Sequence, residues 1–382
     1  MSASSKLDTY LSNKKNSSSP EVSKTFGELE EYYNKKLWHQ LTLSVMALVK
    51  LPEMQEGVEL VDLYKNLVAE LENKLNPLSL AELAGDVITQ IKDPNDAITF
   101  VEKIQPKVVN HQEAKVLCSV LIAQVVLYRL EDQTRTKNIL EETEKLLDEI
   151  DGVTSVHGKF YHLLSDLHCQ TGNHAEYYRA ALHYLGCSDI SEITEEDKKK
   201  KAFCLGLAAL LGEGIYNFGE LLAHPILESL KNSSGEWLME LLYAFNEGNL
   251  SKFESMRTQW STQPDLVAKE IQLREKIRLL CLMEMTFKRK AWDRQLTFSE
   301  IAQETGLQVD QVEVMVMRAL SLGLVKGTID QVDEKVNITW VQPRVLDKKQ
   351  IATMMERLRD WCKDVNSMQK MLEDQASSIL TL

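Results

Sequence analysis

The 382-residue sequence contains little glycine and proline and has no excess of positive charge. Gly and Pro together number 24, about half the share found in average proteins, and so few helix-breaking residues favour long helices. The net charge is −13, whereas nucleic acids and anionic membranes are bound through clustered Lys and Arg. The charge balance therefore disfavours both classes of partner unless a local basic patch exists.

Signals for export, membrane insertion and disulfide formation are also missing. The first twenty residues are rich in Ser, Lys and Asn and lack the apolar core of a signal peptide, so we expect a disordered tail over 1–24. The relevant uncharged stretch, 116–128, is too short to cross a bilayer. The six cysteines are scattered without a C-x-x-C pair, as in reduced proteins. The sequence predicts a soluble protein of the cytoplasm and nucleus.

No catalytic motif is recognisable. The sequence lacks the phosphate-binding G-x-x-x-x-G-K-[ST], the zinc motif H-E-x-x-H, an H-x-H pair and the nucleophile motif G-x-S-x-G. Histidines and cysteines are concentrated between His157 and Cys187, but they lack the short fixed spacings of a tetrahedral zinc site. We assign no catalytic, cofactor-binding or metal-binding residue and predict a protein that is not an enzyme. A zinc hydrolase using this cluster is the weakest alternative.

The sequence does contain a long series of amphipathic helices. From about 25 to 230, apolar residues recur every three or four positions between short polar turns. Two turns, Gly172-Asn173 and Gly248-Asn249, share a form in which Gly ends one helix in a left-handed conformation and Asn begins the next. This pattern is typical of an α-solenoid of helix hairpins. The charged run at 195–201 is interpreted as the capped first turn of a helix with solvated lysines.

Residues 294–342 have the pattern of a helix-turn-helix followed by a β wing. The predicted elements are a strand at 295–298, helices at 299–305 and 309–321, and wing strands at 324–329 and 336–341. In the second wing strand, Val336, Ile338 and Trp340 alternate with polar residues, which predicts that they share one face.

The winged helix has the wrong charge for reading DNA. Residues 294–342 include four basic and seven acidic side chains, and Asp310 and Glu313 lie at the start of the would-be recognition helix. Carboxylates there repel the phosphates that they would have to approach. The sequence therefore favours a protein partner over DNA.

The predicted sheet has an edge on which such a partner could pair. The strand at 324–329 is the expected edge strand, and its free backbone groups can bind another chain. The alternative is that Lys326 and Gly327 blunt this edge and that nothing pairs there.

From about 346 to 380 the sequence predicts one long amphipathic helix. Apolar or small residues recur there at steps of three and four, close to a heptad pattern: Ile351, Met355, Leu358, Cys362, Val365, Met368, Leu372, Ala376 and Ile379. Such a helix is longer than one small domain can cover. We expect it to dock with helices of other subunits. Folding back on its own solenoid is the alternative.

A helical solenoid that ends in a winged helix resembles the PCI-domain subunits of the proteasome lid, the COP9 signalosome and translation initiation factor 3. Among these, nearly the whole chain is similar to a family of proteasome lid subunits. The similar stretches are 35–41, 76–80, 152–157, 206–214, 217–222, 280–285, 323–327 and 339–346.

This resemblance implies a non-catalytic scaffold subunit that supports ubiquitin-dependent protein degradation and lid assembly. Its partners would be other lid subunits, bound through the winged helix and the C-terminal helix, and the ubiquitin receptor near the N-terminal solenoid. A subunit of another PCI complex and a nucleic-acid-binding winged-helix factor are the alternatives.

The expected fold is dominated by α-helices. Its parts are a tail at 1–24, a solenoid at 25–190, a PCI domain at 191–343 whose helical part runs to about 290 and whose winged helix spans 294–342, and a bundle helix at 344–382. The candidate interface residues are Leu324, Val325, Ile329, Val336, Ile338 and Trp340 in the winged helix, and Ile351, Met355, Leu358, Val365, Met368, Leu372 and Ile379 in the C-terminal helix.

Overall fold

The computed structural model is predominantly helical with a small sheet near its C-terminus, which confirms the predicted fold class. It describes residues 14, 20–55, 57–72, 74–189, 193–231, 233–290, 293–346 and 348–375. The chain divides into two compact units, 1–189 and 190–382. Of the predicted tail, 20–24 already belong to the first helix, and the rest apart from residue 14 lies outside the described residues.

The N-terminal unit is built from helices joined by short turns. They are α1 (Pro20–Asn34), α2 (Trp38–Val49), α3 (Pro52–Gln55), α4 (Glu59–Leu63), a π-helix (Tyr64–Val68), α5 (Ala69–Leu71), α6 (Pro77–Gln90), α7 (Pro94–Ile104), a 3₁₀ turn (Gln105–Lys107), α8 (Gln112–Arg129), α9 (Gln133–Leu147), α10 (Ser155–Thr171) and α11 (His174–Cys187).

Helix α8 lies at the centre of this unit. It carries apolar residues around its whole circumference, including the buried Val116, Leu121 and Val126, and such a helix must be covered on all sides. Helices α6, α7, α9 and α10 pack around it. The predicted Gly-Asn turn is confirmed, because Gly172 ends α10 at φ 71° and the side chain of Asn173 caps α11.

The helical part of the C-terminal unit leads to the small sheet. Its elements are α12 (Glu195–Leu211), α13 (Gly219–Ala223), a 3₁₀ helix (Pro225–Leu230), α14 (Glu236–Glu247), α15 (Leu250–Ser255), α16 (Arg257–Trp260), α17 (Pro264–Ala268) and α18 (Glu270–Lys288).

The second Gly-Asn turn and the cap of α12 are also as predicted. Gly248 ends α14 at φ 65°, and the Asn249 side chain accepts a hydrogen bond from the backbone N–H of Lys252 at 3.0 Å. The Thr194 hydroxyl accepts from the backbone N–H of Asp197 at 3.3 Å. A cap of this kind stabilises a helix by about 1 kcal/mol.

The winged helix follows the predicted order of elements. It consists of β1 (Gln295–Thr297), α19 (Phe298–Thr305), α20 (Val309–Ser321), β2 (Val325–Asp330) and β3 (Lys335–Val341). The sheet is antiparallel in the order β1-β3-β2. Thr297 and Glu300 form a reciprocal capping box at the start of α19, and Gly306 ends that helix at φ 63°.

The prediction that Trp340 shares the buried face of Val336 and Ile338 is wrong. The pairing of β2 with β3 shifts between Lys326 and Gly327, and such a β-bulge reverses the alternation of side chains beyond it. Val336 and Ile338 are buried, whereas Trp340 is 37% exposed.

The last described element is α21 (Lys348–Gln375), a single helix of 28 residues and about 42 Å. The predicted helix extends to 380, and its last five positions lie outside the described residues. Across the described part of the chain, no helix combines the length and apolar composition needed to span a membrane.

Candidate interaction surfaces

The winged helix is held firmly on α18 by an arginine at the end of that helix. The Arg289 guanidinium donates to the backbone carbonyl of Gln295 and to the Glu300 carboxylate, both at 2.9 Å. This ion pair and the Thr297 backbone N–H hold the pKa of Glu300 below its usual value, with the backbone hydrogen bond as the larger cause. The surfaces of the winged helix are therefore fixed relative to α18.

Strand β2 is an edge strand, as predicted. Among the described residues, β3 is its only partner strand, so its outer side has no strand paired with it. The edge carries a charged residue beside the bulge, since the Lys326 ammonium lies 5.0 Å from the centre of the Trp340 ring. Both features are ones that proteins use to limit edge pairing. Pairing of a partner chain at this edge stays a prediction.

Four of the candidate interface residues lie in the core of the winged helix. Their side chains are at most 1% exposed, so any contribution to an interface has to come from their backbone: Leu324, Val325, Val336 and Ile338. Ile329 is half-buried and Trp340 is exposed. Of the six winged-helix candidates, these last two are the ones whose side chains can reach a partner directly.

The would-be recognition helix α20 exposes an apolar surface that the sequence reading missed. Val314 and Met317 are 62% and 47% exposed, and the acidic side chains of Asp310 and Glu313 lie beside them. The sequence contains an indication of this surface, because residues 312–317 are apolar at every position except Glu313 and a single buried face could not accommodate them all. This surface suits protein contact and repels phosphate.

Among the described elements, helix α21 carries the most exposed large apolar side chains. Every residue from Ile351 to Gln375 is exposed. Nine large apolar side chains lie on it, each 43–64% exposed, and we call this set the α21 surface: Ile351, Met354, Met355, Leu358, Trp361, Val365, Met368, Met371 and Leu372. Ile379, the last residue of the predicted heptad pattern, lies outside the described residues.

Three members of the α21 surface were not predicted. They are Met354, Trp361 and Met371. Each lies three or four positions from a residue of the predicted heptad pattern, Leu358 or Met368, so the exposed apolar stripe is wider than the prediction. Contiguous exposed apolar surfaces of this extent mark interaction sites in proteins.

The origin of α21 is anchored by a buried ion pair. The Arg344 guanidinium pairs with the Glu284 carboxylate on α18, and both side chains are less than 10% exposed. Arg344 also donates to the backbone carbonyl of Asn246 at 3.2 Å and lies 5.3 Å from the ring centre of Phe287. Glu284 has a weaker contact with the exposed Lys288 at 3.7 Å.

The neighbouring residue fixes the same segment to α13. The Val345 backbone N–H donates to the Asn217 side chain at 3.4 Å. A Cβ on Gly219 would lie 2.5 Å from the Val345 carbonyl oxygen, so only glycine fits this position. On α21 itself, the Arg357 guanidinium donates to the backbone carbonyl of Lys288 at the end of α18, at 2.7 Å. These contacts fix the segment that leads into α21 relative to α13 and α18.

In the C-terminal unit, a buried lysine that binds the end of helix α12, Lys276, has a strongly lowered pKa. The Lys276 ammonium donates to the carbonyls of Ala209, Leu210 and Gly212 at 2.8, 3.0 and 2.9 Å, which are the unsatisfied acceptors at the end of α12. Burial lowers the pKa of Lys276 to about 7. This amine therefore caps the end of a helix.

Three histidines of the histidine-rich segment take part in a helix cap, a ring contact and a contact with a carboxylate. The His157 ring is part of the capping box with Thr154 at the start of α10. His183 stacks on Tyr161 at 4.9 Å, and His162 lies 3.1 Å from the Asp166 carboxylate. Within the described ranges, no three His, Cys, Asp or Glu residues are arranged to hold a metal ion.

Comparison with known proteins gives two family matches. Residues 25–242 match the family model described as PSD13 N-terminal repeats, and residues 250–340 match the PCI domain. The chain is 38% identical over 367 residues to 26S proteasome non-ATPase regulatory subunit 13 homolog B of Arabidopsis thaliana, covering 94% of this chain and 95% of that protein. The chain belongs to the family of 26S proteasome non-ATPase regulatory subunit 13.

Two other members of the subunit 13 family are similar over almost their full length. Subunit 13 of Dictyostelium discoideum is 35% identical over 374 residues, which cover 94% of this chain and 95% of that protein. The 26S proteasome regulatory subunit RPN9 of Saccharomyces cerevisiae is 34% identical over 391 residues, which cover 98% of each chain. The resemblance to PCI-domain subunits that the sequence predicts is confirmed.

Proposed function

We propose that this protein is a non-catalytic structural subunit of the 26S proteasome regulatory particle lid, where it supports ubiquitin-dependent protein degradation. The observation that carries the proposal is the uncovered α21 surface in a chain of this family. A lone amphipathic helix gains most of its stability from packing its apolar face, and each aliphatic side chain contributes about 1.5–3 kcal/mol when fully buried. The nine side chains of the α21 surface therefore need partner helices to bury them, and we propose that other lid subunits supply these helices.

The proposed contacts differ along the chain. Helix α21 joins a bundle with helices of other lid subunits, and the winged helix meets neighbours through the β2 edge and the exposed side of α20. The N-terminal unit lies near the ubiquitin receptor. The names of the Arabidopsis and Dictyostelium relatives, which call them non-ATPase regulatory subunits, support a role without catalysis. We expect the assembled protein in the cytoplasm and the nucleus.

The test is purification of the native complex. The full chain, tagged and expressed in cells, should copurify stoichiometrically with proteasome lid subunits identified by mass spectrometry. A matched chain that ends at Val345 should keep its folded units, because every residue of α21 from Ile351 to Gln375 is exposed, and should lose the lid subunits. Recovery of the full chain as a free monomer, or normal incorporation of the shortened chain, would contradict the proposal.

The same purification distinguishes the alternatives. Copurification with initiation factor 3 or COP9 signalosome subunits would assign the chain to another PCI complex. A nucleic-acid-binding factor would instead retard duplex DNA in a gel-shift assay at low salt and lose it at high salt. The acidic start of α20 predicts no retardation at either salt concentration.

A further inference from the structure

A preformed groove of about 570 Å³ lies within the N-terminal unit, between α4, the π-helix, α6 and α7. This volume is typical of pockets that bind small molecules or peptide side chains. Its apolar lining includes Val58, Val61, Ile91 and Phe100, which are exposed or half-buried and thus accessible from solvent. The groove is unrelated to the α21 surface and to the winged helix.

The walls of the groove are fixed by side chains that bridge separate elements. The Gln90 amide donates to the Met54 carbonyl at 2.7 Å and accepts from the Leu60 backbone N–H at 2.8 Å, which ties α6 to the start of α4. The Tyr64 ring packs edge-to-face on Phe100 with 4.7 Å between ring centres. A ligand would therefore bind without a large cost of ordering the protein.

One wall of the groove has an unusual backbone. Residues Tyr64–Val68 form a π-helix, in which the backbone N–H of Ala69 donates to the carbonyl of Tyr64 five residues earlier. Such turns are rare and concentrate at functional sites. The π-helix carries Lys65 to the rim of the groove.

The rim is basic in an otherwise acidic protein. Three exposed lysines line the groove, Lys65, Lys92 and Lys103, and among the residues that the structure describes Asp96 is the single acidic one that lines it. In the part of the chain that the structure describes, none of these three ammonium groups lies within ion-pair distance of a carboxylate. Two other lysines of the same unit, Lys107 and Lys159, in contrast pair with Glu72 and Glu82. The groove thus combines an apolar floor with three unpaired cations.

We propose that this groove binds an acidic peptide segment of a partner protein. One aliphatic or aromatic side chain of the peptide packs on Val61, Ile91 and Phe100, and flanking carboxylates pair with the three rim lysines. A polynucleotide fits less well, because phosphates would use the lysines and leave the aliphatic floor uncovered. The proposal does not depend on membership of the proteasome, since it concerns binding by the isolated chain.

Peptide binding by the purified full chain tests the proposal. The probe is a fluorescein-labelled peptide with Leu-Phe at its centre and three acidic residues on each side, followed by fluorescence anisotropy. We expect saturable binding below about 1 mM. Replacement of Leu-Phe by Ala-Ala, or of the acidic residues by lysines, should weaken binding at least about tenfold.

Variants locate the site. The triple change K65E/K92E/K103E should weaken binding at least about tenfold, because three attractive contacts become repulsive. The control K145E/K199E/K200E changes the net charge equally at exposed lysines elsewhere and should leave the affinity within about twofold. Val58→Asp, at a position 53% exposed, adds a carboxylate to the floor without emptying the core and should weaken binding about fivefold. All six lysines are exposed, so both triple variants should fold, which circular dichroism checks.

Three results would overturn the proposal. The first is an absence of binding up to about 1 mM. The second is equal weakening by both lysine triples, which would indicate non-specific charge attraction. The third is displacement of the peptide by a single-stranded oligonucleotide whose own binding requires Lys65, Lys92 and Lys103. That result would assign the groove to nucleic acid.

Discussion

Arg344 and Glu284 form a buried ion pair, and Arg344 lies four residues before the start of the C-terminal helix α21. The pair joins the segment after the last strand to α18, so the position of α21 depends on it. A buried pair of this kind is costly to break, because removal of one partner leaves the other charge buried alone.

Arg344→Met should therefore lower the free energy of unfolding by about 3 kcal/mol. This is the low end of the range for a broken buried pair, because Lys288 still lies near Glu284. Urea denaturation measures the loss. Arg318→Met is the control, since Arg318 pairs with Glu275 at the surface and should cost less than about 1 kcal/mol. The double variant with Glu284→Leu should recover most of the stability. Equal losses for Arg344→Met and Arg318→Met would argue against the anchoring role.

Gly327→Ala should destabilise the winged helix by about 1–3 kcal/mol. A Cβ at Gly327 would lie 2.2 Å from the Asn337 carbonyl oxygen on the paired strand, so the bulge has to open. Gly186→Ala is the matched control, because nothing lies within 4 Å of its Cβ and it occupies a helix. That change should be neutral or stabilising. Thermal unfolding of the two variants measures the difference, and an unchanged melting temperature for Gly327→Ala would contradict the register described for the sheet.

The burial of Lys276 predicts a dependence of stability on pH. Its pKa falls from the ordinary value of 10.5 to about 7 in the folded chain, so between these values the unfolded chain binds more protons than the folded one. The free energy of unfolding should rise with pH across this window, by up to about 1.4 kcal/mol per pH unit. Below pH 7, the contribution of Lys276 to that free energy should be constant. The Lys276→Met variant lacks this titration. The difference in unfolding free energy between the two proteins should therefore change between pH 7 and 10, and a flat difference would contradict the lowered pKa.

Leu358→Asp combined with Val365→Asp should separate folding from assembly. Both side chains are exposed in the isolated chain, at 58% and 44%, so the unfolding free energy should change by less than about 1 kcal/mol. In a bundle each carboxylate would be buried in an apolar contact, so copurification with lid subunits should be lost. Ser367→Asp with Lys363→Gln makes the same charge change on the opposite side of the helix and should assemble normally. Loss of assembly by both variants would indicate a charge effect and not a packed face.

The elements whose stabilising interactions are local could be predicted without a structure. Helix periodicity and the Gly-Asn turns at 172–173 and 248–249 depend on neighbours a few positions away. The element order of the winged helix therefore agrees with the prediction to within one residue at most ends. The similarity to a known family came from uninterrupted strings of residues, which are also readable without a structure.

The combination of distant residues could not be predicted in this way, because it depends on how the elements pack. The exposure of Trp340 follows from a bulge that depends on the approach of Gly327 to Asn337. The partner of Arg344 lies 60 positions away, and the carbonyls bound by Lys276 lie more than 60 positions away. The basic groove unites segments from Val58 to Lys103. Such contacts are set by packing between elements, and no local pattern of residues encodes which side chain meets which.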